Sequence, residues 1–302
     1  MSTDEGGAAG LNVEHSIGSL LREGRERLQK LSSGRRDAEL LLMRAADLSR
    51  STVLTSGKQR LSPEIIEGYR RMVERRAAFE PVQYILGEQE FFGLRFEVTR
   101  DVLIPRPETE HLVEALLARM PRDRAVRIAD VGTGSGAIAV ALARELPQAE
   151  LTALDISPEA LLVAVRNAEQ HGVGRRVRFA LSDLLQAVCE GPAFDAIVSN
   201  PPYIGDGEAL ERQVRDHEPR AALFGGETGF EVYERLIPQA AALLRPGGWL
   251  LLEIGASQQE RLRELLAVWD EVSFVRDLQG IPRVAVARLA AAQVRVDQQG
   301  QA

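Results

Sequence analysis

An amide, two prolines and a phenol stand side by side at Asn200-Pro201-Pro202-Tyr203, directly after the run Phe194-Asp195-Ala196-Ile197-Val198-Ser199. The run predicts a buried parallel strand, and open α/β sheets bind their ligands beyond the carboxyl ends of such strands. Asn200 offers a neutral acceptor oxygen there. Pro201 and Pro202 fix φ and remove two backbone donors, while Tyr203 supplies a flat apolar wall. The group suited to that combination is a planar NH₂.

A second set of residues suits a nucleoside. Gly132-Thr133-Gly134-Ser135-Gly136 follows Asp130-Val131 and precedes a helical run, so it reads as a strand-to-helix turn whose backbone can approach a ligand closely. Its G-x-G-x-G spacing is neither the G-x-G-x-x-G of dinucleotide binders nor the lysine-bearing phosphate loop. A nucleoside with a zwitterionic tail fits better than a pyrophosphate. Asp155 ends the next strand, where an acid can accept from ribose hydroxyls. Asp183, after the third strand, can accept from an exocyclic amine with Leu184 packed on the ring, or can cap a short helix over Leu184 to Val188.

The elements that position these groups follow from the hydrophobic period. Between His15 and Phe79 apolar residues recur at helical spacing, and Ser62-Pro63-Glu64 reads as a cap, a first-turn proline and a first-turn acid. Residues 15–86 are expected to form a small helical domain that docks a partner or packs against one. Residues 87–110 are expected to be a hairpin and linker built on Phe91-Phe92-Gly93-Leu94 and ending in Pro105-Arg106-Pro107-Glu108-Thr109-Glu110. Arg106 and Glu108 lie there as candidates for a role beside the site. Residues 111–290 then alternate strand and helix: strands at Val126 to Val131, Leu151 to Leu154, Val177 to Ala180, Ala196 to Ser199 and Trp249 to Ile254, with an irregular insert from Gly205 to Glu227. Two strands, near Val272 to Val275 and Val284 to Ala287, close the domain.

Composition narrows the function classes. A chain of 302 residues with 45% apolar and 27% charged side chains has room for one large domain and a small one. Its net charge of −7 argues against binding nucleic acid through phosphate neutralisation. The lone Cys189 permits neither a disulfide framework nor a cysteine-based zinc cluster, so no metal is expected. The cytoplasm is the expected compartment: residues 1–14 lack an apolar signal core, and no run of about eighteen apolar residues exists to span a membrane. Residues 1–14 and 291–302 read as loose tails.

The glycine loop, Asp155, Asp183 and Asn-Pro-Pro-Tyr together resemble the Rossmann-like methyltransferases that use S-adenosyl-L-methionine, and the last motif resembles that of enzymes methylating amino groups. The flanks are more specific. Asp37-Ala38-Glu39-Leu40-Leu41, Glu80 to Gly87, Phe92-Gly93-Leu94, Leu103 to Glu110, Val198 to Ile204, His217-Glu218-Pro219, Gly225 to Gly229 and Glu253-Ile254-Gly255 are similar to the HemK/PrmC family of peptide chain release factor glutamine methyltransferases. The resemblance implies a class I α/β fold, with a mostly parallel seven-stranded sheet whose last strand is antiparallel. It implies methylation of N5 of the glutamine in the Gly-Gly-Gln loop of class 1 release factors, with S-adenosyl-L-homocysteine as product. It further implies that Gly132, Thr133, Gly134, Ser135 and Gly136 line the cofactor, Asp155 holds its ribose, and Asp183 and Leu184 meet its adenine. Asn200 would touch cofactor and glutamine, beside Pro201, Pro202 and Tyr203. Leu184 stands where some members have an aromatic. A ribosomal-protein glutamine, a DNA adenine or a non-enzymatic nucleotide-binding role remain alternatives at this stage.

Overall fold

The computed structural model describes residues 15–188 and 194–290; the expected tails and Cys189 lie outside the described residues. The chain divides into two compact units, between Leu86 and Gly87.

The first unit holds α1 (Ile17–Arg27), α2 (Gly34–Ala46), α3 (Arg50–Thr55), α4 (Pro63–Ala77) and α5 (Val82–Leu86). Their apolar faces, including Ile17, Leu20, Leu41, Leu42, Ile66 and Tyr69, close one core. Ser16 and Ser19 form a capping box at the start of α1. Pro63 stands in the first turn of α4 as expected, but the Ser62 hydroxyl makes no cap bond. It hydrogen-bonds Glu64 instead, lowering that carboxylate's pKa. Between α2 and α4 lies a buried ion pair, Arg76 Nε to Asp37 Oδ2 at 2.6 Å.

The second unit opens with β1 (Glu88–Phe91) and β2 (Leu94–Glu97), an antiparallel hairpin. Its two turn residues, Phe92 and Gly93, both have positive φ, 51° and 68°, the turn whose twist matches that of paired strands. Phe91 and Phe96 point into a core with Leu112 and Leu116 of α6 (Glu110–Leu117), and the Glu110 carboxylate accepts from Phe92 N at 2.8 Å. The hairpin is therefore part of the larger unit rather than a free linker.

The sheet then builds from β3 (Arg127–Val131), α7 (Ala137–Glu145), β4 (Glu150–Asp155), α8 (Pro158–Gln170), β5 (Val177–Leu181) and β6 (Phe194–Ser199). It continues through β7 (Ile204–Gly205), α9 (Arg212–His217), β8 (Phe224–Gly226), α10 (Glu231–Leu243), β9 (Leu244–Glu253), α11 (Gln259–Leu265), β10 (Asp270–Arg276) and β11 (Pro282–Arg288). Seven strands lie in the order β10-β11-β9-β6-β3-β4-β5. Strands β5, β4, β3, β6 and β9 run parallel, and β11 runs antiparallel to β9, as the resemblance implies. Register does the rest. Val131 pairs with Leu154 and Ser199, and Ser199 pairs with Leu252, so Gly132, Asp155, Asn200 and Glu253 all emerge at one edge of the sheet.

Three expectations are corrected. Strand β9 begins at Leu244 rather than at the expected Trp249, so that it includes Arg245-Pro246-Gly247-Gly248. The insert is not irregular throughout, since β7 and β8 pair in parallel and α9 lies between them. Leu184 to Val188 is a turn and not a helix: Leu184 has a φ of 54°, a left-handed conformation that interrupts any helix there. No helix among the described residues is long and apolar enough to cross a membrane.

Candidate active site

The glycine loop is tied to its neighbours by its own backbone. Gly132 N and Thr133 N donate to Leu154 O at 2.8 and 2.9 Å, and Gly134 N donates to Asp155 Oδ2 at 2.8 Å. Gly132, Gly134 and Gly136 have φ of 71°, 54° and 80°, where a side chain is strained. Asp130 sits beneath the loop, fully buried. Its Oδ2 accepts from Thr133 Oγ1 at 2.6 Å and from Ala139 N in the first turn of α7 at 3.1 Å, while Oδ1 has no partner. Burial pushes its pKa up to about 7 against those two bonds.

Asp155 accepts at both oxygens, from Gly134 N and from Ser157 N at 2.9 Å, and burial raises its pKa although these bonds oppose the shift. Each oxygen keeps a lone pair for a further donor. Ser157 caps α8 as expected, accepting from Ala160 N at 3.1 Å. Asp183 does not cap a helix. Its Oδ2 pairs with Arg235 of α10, and the Ala187 amide is taken by Ser182 Oγ at 3.0 Å.

These residues surround a cavity of about 480 Å³, lined by Gly132, Thr133, Gly134, Ser135, Asp155, Asp183, Leu184 and Asn200 among others. A second cavity of about 330 Å³ is lined by Arg106, Asn200, Tyr203 and Glu253 with residues of the insert. Asn200 belongs to both. Its Nδ2 donates to Thr109 Oγ1 at 3.2 Å, and that buried hydroxyl lies close enough to the Glu253 carboxylate to lower its proton affinity. Among the described residues none donates a hydrogen bond to Asn200 Oδ1.

Around Asn200 the backbone is held closely. A Cβ on Gly225 would stand 2.4 Å from Pro202 O, and one on Gly229 would stand 2.3 Å from Tyr203 O, so neither position can carry a side chain without displacing the Pro-Tyr segment. Gln258 Nε2 donates to Tyr203 O at 2.9 Å. Burial pushes the Tyr203 phenol up to about 12, so it stays protonated at neutral pH. Arg106 faces the second cavity but is engaged: its Nη2 pairs with Glu218 Oε1 at 2.5 Å, and Glu218 Oε2 also accepts from Ile104 N at 3.3 Å. That carboxylate fixes the segment before α6 to the insert. Glu108 lines neither cavity.

Known proteins match along nearly the whole chain. The PrmC N-terminal domain matches residues 19–87, and the methyltransferase small domain matches residues 109–217. The release factor glutamine methyltransferase of Koribacter versatilis is 48% identical over 258 residues, 85% of this chain and 91% of that protein. That of Geobacter sulfurreducens is 44% identical over 266 residues, 86% and 91% of the two chains. This chain belongs to the release factor glutamine methyltransferase family. Among solved structures, the hMettl16 catalytic domain in complex with MAT2A 3′UTR hairpin 1 aligns with a TM-score of 0.52 at 20% identity, covering 82% of this chain and 88% of that one, a likeness of fold.

As a member of this family of methyltransferases, the chain brings all twelve sequence-expected residues to one edge of one sheet. Gly132 to Ser135, Asp155, Asp183, Leu184 and Asn200 share the larger cavity, with Pro202 beside them. Tyr203 lies in the smaller one with Asn200. Gly136 and Pro201 complete the loop and the motif without lining either cavity. Three residues around the site, Asp130, Thr109 and Glu253, stand within the quoted motif blocks but receive no role from the sequence. A signal existed for the last. Glu253 is a lone acid ending the apolar run Trp249 to Leu252, the same pattern that marks Asp155 at the end of β4.

Proposed function

We propose that the larger cavity binds S-adenosyl-L-methionine, and that the smaller one receives the glutamine side chain from the Gly-Gly-Gln loop of a class 1 release factor. The larger cavity suits such a group: its volume takes a nucleoside with an amino-acid tail, its floor is backbone with open space above Gly134, and its acids meet hydroxyls and an amine rather than a phosphate. Bound there, the cofactor brings a methyl group activated by positively charged sulfur. Asp155 accepts from the ribose hydroxyls, Asp183 from the adenine amine with Leu184 on the ring, and Gly132 to Gly136 let the backbone lie against the amino-acid tail.

The protein's contribution to transfer is geometric and electrostatic. A carboxamide nitrogen is a weak nucleophile because its lone pair is delocalised into the carbonyl. Asn200 Oδ1 and the carbonyl of Pro201, which stands between the cavity-lining Asn200 and Pro202, would each accept one of its N–H bonds and turn the nitrogen lone pair toward the methyl. As the N–C bond forms and the S–C bond breaks, positive charge moves from sulfur to nitrogen and both hydrogen bonds strengthen, so they would stabilise the transition state more than the ground state; the product thioether is neutral, and the methylated nitrogen then releases one proton to solvent. Tyr203 walls the side chain with its ring.

One observation carries this reading: Asn200 is shared by the two cavities, with its NH₂ held by Thr109 and its oxygen free. The basic balance of residues 15–86, fourteen Lys and Arg against nine Asp and Glu in a chain of net charge −7, supports the helical unit as the part that docks an acidic protein face. The test is one mass spectrum. Incubation with S-adenosyl-L-methionine and a class 1 release factor is expected to add the mass of one CH₂ to the Gly-Gly-Gln peptide. An unmodified peptide, with the methyl found instead on a ribosomal-protein glutamine or a DNA adenine, would overturn the assignment.

A further inference from the structure

Glu253 ends β9, the strand next to β6, whose own end carries Asn200. It is 3% exposed, lines the second cavity, and its Oε2 has no hydrogen-bond partner. Between it and Asn200 stands the Thr109 hydroxyl, which accepts from Asn200 Nδ2 at 3.2 Å and lies close enough to the carboxylate to lower its proton affinity. A hydroxyl has one proton to give, and an ionised carboxylate can only accept. With Glu253 ionised, the Thr109 proton therefore points to Glu253, and the Thr109 lone pairs accept from Asn200 Nδ2. The side-chain amide of Asn200 then has one orientation, with Oδ1 toward the cavities.

We propose that Glu253 and Thr109 are positioning residues that make the site selective for an NH₂-bearing side chain: ionised Glu253 orients Thr109, Thr109 orients Asn200, and Asn200 is thereby presented as an acceptor. The proposal rests on the reading above, in which Asn200 receives the substrate amide. Protonating Glu253 reverses the chain. The acid then donates to Thr109, Thr109 donates toward Asn200, and the amide is favoured in the turned-over form, which sets its own NH₂ against the NH₂ of the substrate. A carboxylic acid side chain, which offers no NH₂, is refused by the working orientation because acceptor would face acceptor.

The groups that face Glu253 allow this switch near neutrality. Burial raises its pKa to about 7; the Thr109 hydrogen bond opposes the rise, Glu108 adds to it, and Arg283 of β11 and Arg106 oppose it. Tyr203 stands beside it with its phenol protonated, and Tyr233 of α10 donates to its backbone carbonyl at 2.7 Å and not to its carboxylate. None of these supplies the unpartnered Oε2 with a proton.

The test measures kcat for methyl transfer to the release factor at saturating cofactor between about pH 6 and 8, so that Asp130 beneath the glycine loop does not enter through cofactor binding. In the wild type kcat is expected to fall on the acid side, by about tenfold per pH unit below the midpoint. Glu253→Gln imitates the protonated acid, so it is expected to be flat across this range and to lie at least about tenfold below wild type at its upper end. Thr109→Val is expected to lose about tenfold or more in kcat with the affinity for S-adenosyl-L-methionine retained by calorimetry, and Thr109→Ser to restore most of that loss. An unchanged acid limb in Glu253→Gln, or wild-type kcat in Thr109→Val, would overturn the proposal. Should Glu253→Gln not fold, the two Thr109 variants decide alone. A wild-type enzyme that leaves the Gly-Gly-Gln peptide unmodified removes the underlying reading, whereas an active wild type with unaffected variants removes only the relay.

Discussion

Asp37 in the helical unit and Glu253 in the catalytic unit are each 3% exposed, yet they are treated in opposite ways. Asp37 Oδ2 accepts from Arg76 Nε and from Ser33 Oγ, both at 2.6 Å, and Arg76 also donates to Glu80 O at 3.0 Å and to Ser33 Oγ at 3.3 Å. Glu253 has a hydroxyl for a neighbour, an Oε2 with no partner, and arginines that act only from further away. Removing a charge from water is costly unless it is paired and hydrogen-bonded. The helical unit meets that cost with a cation, which fixes α2 against α4. At the sheet edge the cost is left standing, and burial raises the pKa of the Glu253 carboxyl to about 7. The first arrangement serves a fold; the second is the one on which the proposed relay rests.

The contrast is broken most severely by taking the cation from the first site. Arg76→Met leaves Asp37 buried and uncompensated, and chemical denaturation is expected to show a loss of about 3–5 kcal/mol in the stability of the helical unit. Adding Asp37→Leu to Arg76→Met should recover most of it. A single variant as stable as wild type would mean that water already reaches Asp37. In the catalytic unit the matching experiment costs activity and spares the fold. Asn200→Ala removes one preorganised acceptor, so methyl transfer is expected to fall by the equivalent of about 3 kcal/mol, with the unfolding midpoint little changed. Near-normal transfer by that variant would remove Asn200 from the mechanism.

Much of this was legible before any coordinates, for a definite reason. The sheet strands are continuous apolar runs ending in Asp155 or in Asn200, and the helices between them keep their period, so most boundaries fall within two residues of the expectation. What failed was local and short. Strands β7 and β8 have two and three residues, too few for any alternation to register. The turn at Leu184 was misread because an apolar residue at positive φ leaves no mark in a hydrophobic pattern. The Thr109 contact with Asn200 joins residues 91 apart in sequence, and no spacing rule connects a threonine at the start of α6 to the end of β6. Once the register is known the contact follows, because Ser199 pairs with Leu252 and sets Glu253 beside Asn200.

The proton affinity of Glu253 can be read from stability as well as from rate. Its folded pKa of about 7 lies above the ordinary 4.5, so the native state holds the proton more tightly than the unfolded chain. Stability from this group is then fully present below the unfolded pKa and declines as pH rises through 4.5 to about 7. The decline is expected to be roughly 3 kcal/mol from Glu253. In Glu253→Gln that part should vanish, and the difference between variant and wild type should move in the variant's favour with rising pH. A constant difference across the range would show that the carboxyl titrates normally and that the contrast with Asp37 is one of geometry alone.

The smallest expected effect separates ring from hydroxyl at Tyr203. Its phenol is held protonated by burial, but among the described residues none accepts from it or donates to it, whereas Tyr233 is committed to Glu253 O at 2.7 Å. If Tyr203 serves as a wall for the glutamine side chain, Tyr203→Phe keeps the wall and should change kcat/KM by less than about 1 kcal/mol, the net value of a typical hydrogen bond. Tyr203→Ala removes the wall and widens the second cavity, so it should weaken both binding and alignment and be much the more severe. Equal losses in the two variants would assign the effect to the hydroxyl. The phenol would then join Glu253 and Thr109 among the polar groups that act on the substrate amide, and the sheet edge would hold a further polar group kept unpaired for its ligand.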